Sequence, residues 1–419
     1  MMRFIIISSF TLCMIALASC SKKSVFMVID NRMMLDSLGL SSDHLTDEDV
    51  CNQPENYYPD SSDLTMNKTR TIRLIFHIMN STDRKNNFSP EEAPDYFWTM
   101  LNNAHERLEQ NRKMNLPEGN ETPVLSPNYR YKKVTLPEDD DGNGFLYHYD
   151  DELYYFLNRG RNRNNYRRDV IDKYKVGNDS ILNVFVMPHH PDSTASETYK
   201  AFGSGIALGN SMKVAGIYES GEESWKFSTL INHEIGHVLG LKHSWIRRDG
   251  CDDTPSHKNC YQSNGDPPCD GIASNNMMDY NNSQMAITPC QLGIIHRNFS
   301  KDGSLQRKLL EKNWCKKDTS SMIIIEEETH WQGHRDIHHD IHIKNGGKLF
   351  LYCRLSLPED GKITVDPGGE LHLLGTRIHS DCGGSWQGIH ISKGKQEAGK
   401  VFYTGEVIIE DVWQAKVPD

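Results

Sequence analysis

His233-Glu234-Ile235-Gly236-His237-Val238-Leu239-Gly240-Leu241-Lys242-His243 reads H-E-x-x-H-x-x-G-x-x-H. Three imidazoles and one carboxylate at this spacing can carry out metal-assisted hydrolysis. Imidazole nitrogens suit a zinc ion, and a carboxylate beside the first of them suits a general base that takes a proton from water. On a helix His233 and His237 stand one turn apart on the same face, so both can reach one ion. Gly240 lets the helix stop in a left-handed turn that swings His243 back as third ligand, leaving a fourth position open. A bare H-E-x-x-H recurs by chance, but Gly240 and His243 add two further fixed positions.

Downstream, Asn276-Met277-Met278-Asp279-Tyr280 has the composition of a tight turn whose methionine could floor a metal site, although methionine is also an ordinary core filler. With Asp253-Thr254-Pro255 and a cysteine cluster between the two motifs, the chain resembles the pappalysin family of metzincins. The resemblance covers roughly residues 70 to 315 and is specific over 225 to 300, where Thr288-Pro289 and Gln291 match the family's ending. It implies an α+β metzincin (zincin) catalytic domain, one catalytic Zn2+ and a protein or peptide substrate. Met278 would be the floor and Tyr280 a phenol reaching the metal or the oxyanion. Asn281-Asn282-Ser283 follows Tyr280 where relatives that favour basic residues carry an acidic pocket, so a preference for Arg or Lys is not inherited. The family also implies Cys251–Cys269 and Cys260–Cys290 disulfides, with Cys290 placed later than the usual cysteine.

The elements that must position these residues follow from pattern. Thr71 to Met79 is β-branched and apolar, a strand; residues 90 to 115 place Phe97, Met100, Leu101, Ala104 and Leu108 at helical spacing; Ile181 to Met187 is a second strand. Gly203 to Ala207 supplies an edge strand above the cleft, to which an extended substrate can add itself. The apolar residues Trp225, Phe227, Leu230 and Ile231 lead into the histidine helix. The expected domains are a signal peptide at 1–19, a polar, acidic tether or leader at 20–68, the catalytic domain at 69–318 and a β-rich region at 319–419.

Arg3 and the apolar run from Phe4 to Leu17 read as a signal peptide that ends in a lipobox, Leu17-Ala18-Ser19-Cys20, so Cys20 is expected to carry a lipid that anchors an exported bacterial protein, on an outer-membrane face that the sequence leaves open. A plain secretory signal with an incidental cysteine, or an uncleaved anchor, is the alternative, and either also exports the chain. A formal charge of −11 over 419 residues gives no basic patch of the kind nucleic acid needs, and 37% hydrophobic content suffices for packed cores.

Eight cysteines follow Cys20: Cys51, Cys251, Cys260, Cys269, Cys290, Cys315, Cys353 and Cys382. An even set in an exported chain favours disulfides over a zinc-thiolate site. If the four loop cysteines pair among themselves and Cys353 pairs with Cys382, Cys51 and Cys315 form the remaining bridge. Cys51 has a rival role as a latency switch on the metal, as in some members of the family. Asp252 and Asp253 are loose candidates for structural Ca2+.

Beyond Cys315 the pattern changes. Asn345-Gly346-Gly347-Lys348-Leu349-Phe350-Leu351 and Pro367-Gly368-Gly369-Glu370-Leu371-His372-Leu373 match, and Gly405-Glu406-Val407-Ile408-Ile409 echoes them weakly. Short alternating strands with glycine turns at an offset of 22 residues suggest an all-β solenoid or β-helix, with a β-sandwich as the alternative. His330, His334, His338, His339 and His342 read as a solvated histidine-rich strand, since no carboxylate or thiolate is arranged with them in sequence. The leading function is thus a zinc endopeptidase. A surface adhesin whose β-rich region binds glycan or protein is the alternative, and the intact Glu234 argues against a dead scaffold.

Overall fold

The computed structural model describes residues 27–30 and 50–413, apart from 86, 138, 140, 198, 200, 201, 264 and 282. The signal segment and Cys20 lie outside the described residues. Among the described residues no helix is long and apolar enough to cross a membrane.

Strand β1 (Met27–Asp30) comes first, then β2 (Arg70–Asn80), helix α1 (Ala93–Glu109), β3 (Tyr129–Lys133) and β4 (Phe145–Tyr149). Next are α2 (Asp169–Tyr174), β5 (Leu182–Met187), α3 (Pro191–Thr194), β6 (Ser204–Ala207) and β7 (Ser211–Ala215). Helices α4 (Ser228–Val238), α5 (Pro289–Ser300) and α6 (Leu305–Lys308) complete the first part of the chain. Strands β2 to β7 form one sheet in the order β3-β2-β5-β7-β6, with β4 also on β2. β2 holds two parallel neighbours on one side because it is long: Arg70 to Leu74 pairs with β3 and Phe76 to Asn80 with β4. β6 is antiparallel to β7 and forms the sheet's edge.

The expected apolar stripe of α1 is buried: Phe97, Met100, Leu101, Ala104 and Leu108 pack with Leu74, Phe76 and Ile78 of β2. α4 is fixed against this layer by a buried polar residue. Asn232 donates from Nδ2 to the Ala104 carbonyl at 2.8 Å and accepts from the Tyr131 hydroxyl at 2.8 Å. A buried amide satisfied on both sides specifies the rotation of α4 and so the direction in which its histidines face.

The remainder is built from short strands in three parallel sheets. β8 (Met322–Ile325), β11 (Asp340–Ile343), β14 (Ile363–Val365) and β17 (Ile389–Ile391) make one; β9 (Glu328–Trp331), β12 (Lys348–Leu351), β15 (Glu370–Leu374) and β18 (Lys400–Thr404) the second. β10 (Arg335–Asp336), β13 (Leu355–Ser356), β16 (Arg377–His379) and β19 (Glu406–Ile409) make the third, and β1 adds to β19 antiparallel. The two matching segments align in register, Leu349 on Leu371 and Leu351 on Leu373, with all four side chains in the core. The parallel pairing departs from the antiparallel sheets of a β-sandwich. The weak echo at Gly405 to Ile409 belongs to a different sheet; Lys400–Thr404 is the strand that stacks on β15.

Part of the segment expected to be a tether is folded. Val50–Asn52 and Pro54–Tyr57 are short 3-10 turns. Arg297 on α5 donates to the Asn52 carbonyl at 2.8 Å, and the buried Tyr57 donates its hydroxyl to the Cys51 carbonyl at 2.6 Å. This docking changes the disulfides: the bonds are Cys51–Cys353, Cys251–Cys290, Cys260–Cys269 and Cys315–Cys382. The expected Cys51–Cys315 and Cys353–Cys382 pairs are therefore exchanged, because the chain around Cys51 lies along His334, whose amide donates to the Tyr57 hydroxyl. The Cys251–Cys269 and Cys260–Cys290 pairs implied by the family are exchanged too. Asp253 accepts hydrogen bonds from the Cys290 amide and the Thr288 hydroxyl, which brings Cys251 to the start of α5. A disulfide-bonded Cys51 is also not the thiol that a latency switch needs.

The two parts of the chain meet at a buried carboxylate. Asp336 of β10 receives Arg307 at 2.8 and 2.9 Å, Arg354 at 2.8 Å and Arg70 at 3.3 Å. Trp314 lies under two of these guanidinium groups, Arg70 and Arg307. Burial alone would push the Asp336 carboxyl up, but Arg354, Arg307 and Arg70 outweigh it and hold it well below the usual range. Asp336→Asn leaves these cations short of a partner, so stability to urea at pH 7 should fall by about 3 to 5 kcal/mol. A depressed carboxyl contributes above its unfolded pKa, so the gap to wild type should close only as pH falls below about 4. Closure between pH 7 and 5 would contradict this arrangement.

Candidate active site

α4 runs as a helix through His233 and His237 and ends where Gly240 takes φ +102°. There the Leu241 amide donates back to the Gly236 carbonyl at 2.9 Å, turning the chain so that His243 returns toward the helix. His233, His237 and His243 each offer a ligand atom within 4.8 Å of the others, and Nε2 of His237 and His243 are 3.0 Å apart. His233 Nδ1 faces the Met277 carbonyl at 2.9 Å, and His237 Nδ1 faces the Leu241 carbonyl at 2.9 Å. A carbonyl only accepts, so each Nδ1 carries the hydrogen and each Nε2 presents its lone pair to the shared space. Burial lowers His233 to about 3 and His243 to about 4, which keeps the rings neutral, as ligands must be. Three neutral imidazoles, two of them held by outer hydrogen bonds to backbone carbonyls, are a donor set that fits zinc.

Glu234, next to His233 in the chain, is buried against Gly205 of β6. A Cβ on Gly205 would stand 2.5 Å from its Cγ, so that edge-strand position has room for the carboxylate only as glycine. The Ala207 amide hydrogen-bonds the carboxylate, while Oε2 is buried and has no hydrogen-bond partner among the described residues. Burial pushes the carboxyl up to about 8, and a cation held by the imidazoles would oppose that shift. Such an oxygen is placed to receive a proton.

Met278 is fully buried beneath α4, and a Cβ at Gly236 would fall 2.4 Å from its sulfur. The turn is held from below. Asn276 accepts the Met278 amide at 2.8 Å and exchanges amide hydrogen bonds with Gln291, whose own side chain closes the capping box with Thr288. Tyr280 is 54% exposed, its ring 5.0 Å from His243 and 5.8 Å from His233, and tilted against Trp245 and Tyr261 at 4.3 and 5.7 Å.

The sequence reading missed several supporting residues. His257 Nε2 donates to Asp279 at 2.6 Å, and its Nδ1 accepts the Cys260 amide at 3.1 Å, tying the cysteine loop to the turn. Trp245 stacks on His243 at 3.9 Å. Lys213, buried and lowered to about 8 by that burial, donates to the carbonyls of Asn164, Asn165 and Arg167 and so anchors the arginine-rich loop preceding α2. Gly205 carries a signal that could have been read, since glycine inside a strand marks a close approach. His257 carries none, lying in a polar loop without periodicity. The calcium candidate Asp253 has its oxygens on Thr288 and Cys290, and Asp252 is exposed.

No curated protein matches the chain. Among solved structures the chain is similar to mirolysin in complex with compound 9, with 17% identity and a TM-score of 0.40 over 58% of this chain and 96% of that one. It is also similar to a Tannerella forsythia promirolysin mutant, at 16% identity and TM-score 0.39, over 59% and 86% of the two chains. Mature Tannerella forsythia mirolysin in complex with a cleaved peptide gives 16% and 0.38, over 58% and 96%. Residues 165–298 match the family described as pregnancy-associated plasma protein-A, a span that contains the three histidines, Glu234 and the methionine turn. By that match the chain carries, over residues 165–298, a zinc metalloendopeptidase domain of the pappalysin family.

Proposed function

We propose that the protein is an exported endopeptidase in which Glu234 is the general base and His233, His237 and His243 hold one zinc ion. The reading rests on one observation above all: three imidazoles converge within 4.8 Å of one another, and Glu234, next in sequence to the first of them, keeps a buried oxygen with no hydrogen-bond partner among the described residues. Bound there, zinc supplies Lewis acidity toward a carbonyl and toward water. Glu234 takes a proton from the attacking water at Oε2 and returns it to the leaving amine nitrogen, so the C–N bond breaks with the proton balanced. Tyr280, half-exposed above His233 and His243, donates its phenol to the developing oxyanion. An extended peptide lies along the outer edge of β6, where backbone groups that β7 does not use are available to a further strand. Its scissile bond then crosses Glu234, which sits against the same strand.

Three further parts complete the proposal. The domains divide as 1–19, 20–68, 69–318 and 319–419, with residues 50–68 docked on the later domains rather than free. The β-rich region is a solenoid of the β-helix kind, supported by the in-register stacking of the two matching segments. Cys20 bears a lipid that anchors the protein to a bacterial membrane after signal cleavage.

Glu234→Gln should keep zinc at the three histidines while lowering peptide turnover by at least ~100-fold, the usual worth of general-base catalysis. Unchanged turnover removes the mechanism. His243→Ala should instead lose zinc affinity at that site, measured by competition with a chelator. For the anchor, Cys20→Ser should move the protein from the detergent phase to the aqueous phase on phase separation; equal detergent-phase recovery would exclude a lipid on Cys20 as the anchor.

A further inference from the structure

Asp318, His338 and His339 come together where the peptidase passes into the β-rich region. Asp318 lies just after Cys315, and the two histidines fill the corner between β10 and β11. Each residue offers a ligand atom within 4.8 Å of the other two. His338 is 4% exposed and His339 1%, so these are not the solvated strand residues expected from sequence. Consecutive side chains on a strand point to opposite faces, but at this corner the two rings turn together, with centroids 3.9 Å apart.

Two atoms in this cluster need a ligand. His338 Nδ1 and His339 Nε2 are buried and have no hydrogen-bond partner among the described residues. Buried imidazole nitrogens are normally satisfied, and two unsatisfied on adjacent rings point to a shared electrophile. The surroundings are already ordered for one. His339 Nδ1 meets the Ser321 hydroxyl at 3.2 Å, the outer contact that orients a ligating imidazole. The Asp318 amide donates to the His338 carbonyl at 2.7 Å, and Asp318 Oδ1 accepts the Ser320 amide and hydroxyl at 2.9 and 2.6 Å, which fixes the carboxylate.

We propose that Asp318, His338 and His339 form a second metal site, distinct from the catalytic histidines, that takes a divalent transition metal such as zinc. Two imidazoles and one carboxylate exclude the all-oxygen preference of calcium and magnesium and suit zinc with water in the remaining position. The site would pin the segment after Cys315 to the corner that begins two residues beyond Asp336, beside the arginine cluster that joins the two parts of the chain.

The test is calorimetric titration of the metal-stripped full chain with zinc alone. The wild type should bind two equivalents, and His339→Ala and Asp318→Asn should each lose one, or weaken it at least ~10-fold. His237→Ala should weaken the other equivalent and leave this one. Because His339→Ala removes a buried ring, Asp318→Asn, nearly the same size, serves as the variant that keeps the fold, checked by circular dichroism. One equivalent in the wild type, or a second equivalent that survives both Asp318→Asn and His339→Ala at full affinity, overturns the proposal.

Discussion

The Nδ1 hydrogens of His233 and His237 are committed to the carbonyls of Met277 and Leu241, and much of the catalytic half is arranged around that constraint. A neutral imidazole that donates from one nitrogen must accept at the other, so these two bonds decide that both Nε2 atoms face the same small volume. One carbonyl belongs to the turn after the helix and exists because Gly240 ends α4 with a positive φ. The other belongs to the methionine turn, from a different stretch of chain. Metal site, helix end and turn are therefore one unit. That unit is held at its base by the Asn276 and Gln291 amide pair and at its side by the His257 and Asp279 contact.

Catalytic placement depends on a second close fit, between α4 and the sheet edge. Asn232 sets the rotation of α4 through Ala104 and Tyr131, and Gly205 leaves the space into which Glu234 extends. In the proposed function the same strand offers its outer edge to a peptide, and a peptide held there would lie next to the carboxylate, the arrangement that positional catalysis needs.

Legibility in the sequence followed how local each signal was. The histidine string, Met278, Tyr280, the helix around Phe97 to Leu108 and the edge strand before Ala207 are local patterns, and the structure has each of these elements near the expected position. Disulfide partners are not local. Cys51 reaches Cys353 only because residues 50–57 dock between α5 and the chain at His334, a contact between segments far apart in sequence. The same holds for Asp318 with His338 and His339: a histidine run looked solvated because the nearby carboxylate comes from the irregular segment after Cys315 and the corner geometry is set by the stacked sheets. Asp336 and its three arginines, from β2, α6, β10 and the turn before β13, are similarly silent in any one window of sequence.

The central claim is that three Nε2 atoms converge on one zinc ion. Anomalous diffraction at the zinc edge from crystals of the zinc-loaded protein tests it most directly. The account predicts a peak about 2.0 to 2.1 Å from Nε2 of each of His233, His237 and His243, with Glu234 outside bonding distance. Ligation through Nδ1, a Glu234 oxygen in the first coordination sphere, or no peak at these histidines would contradict it.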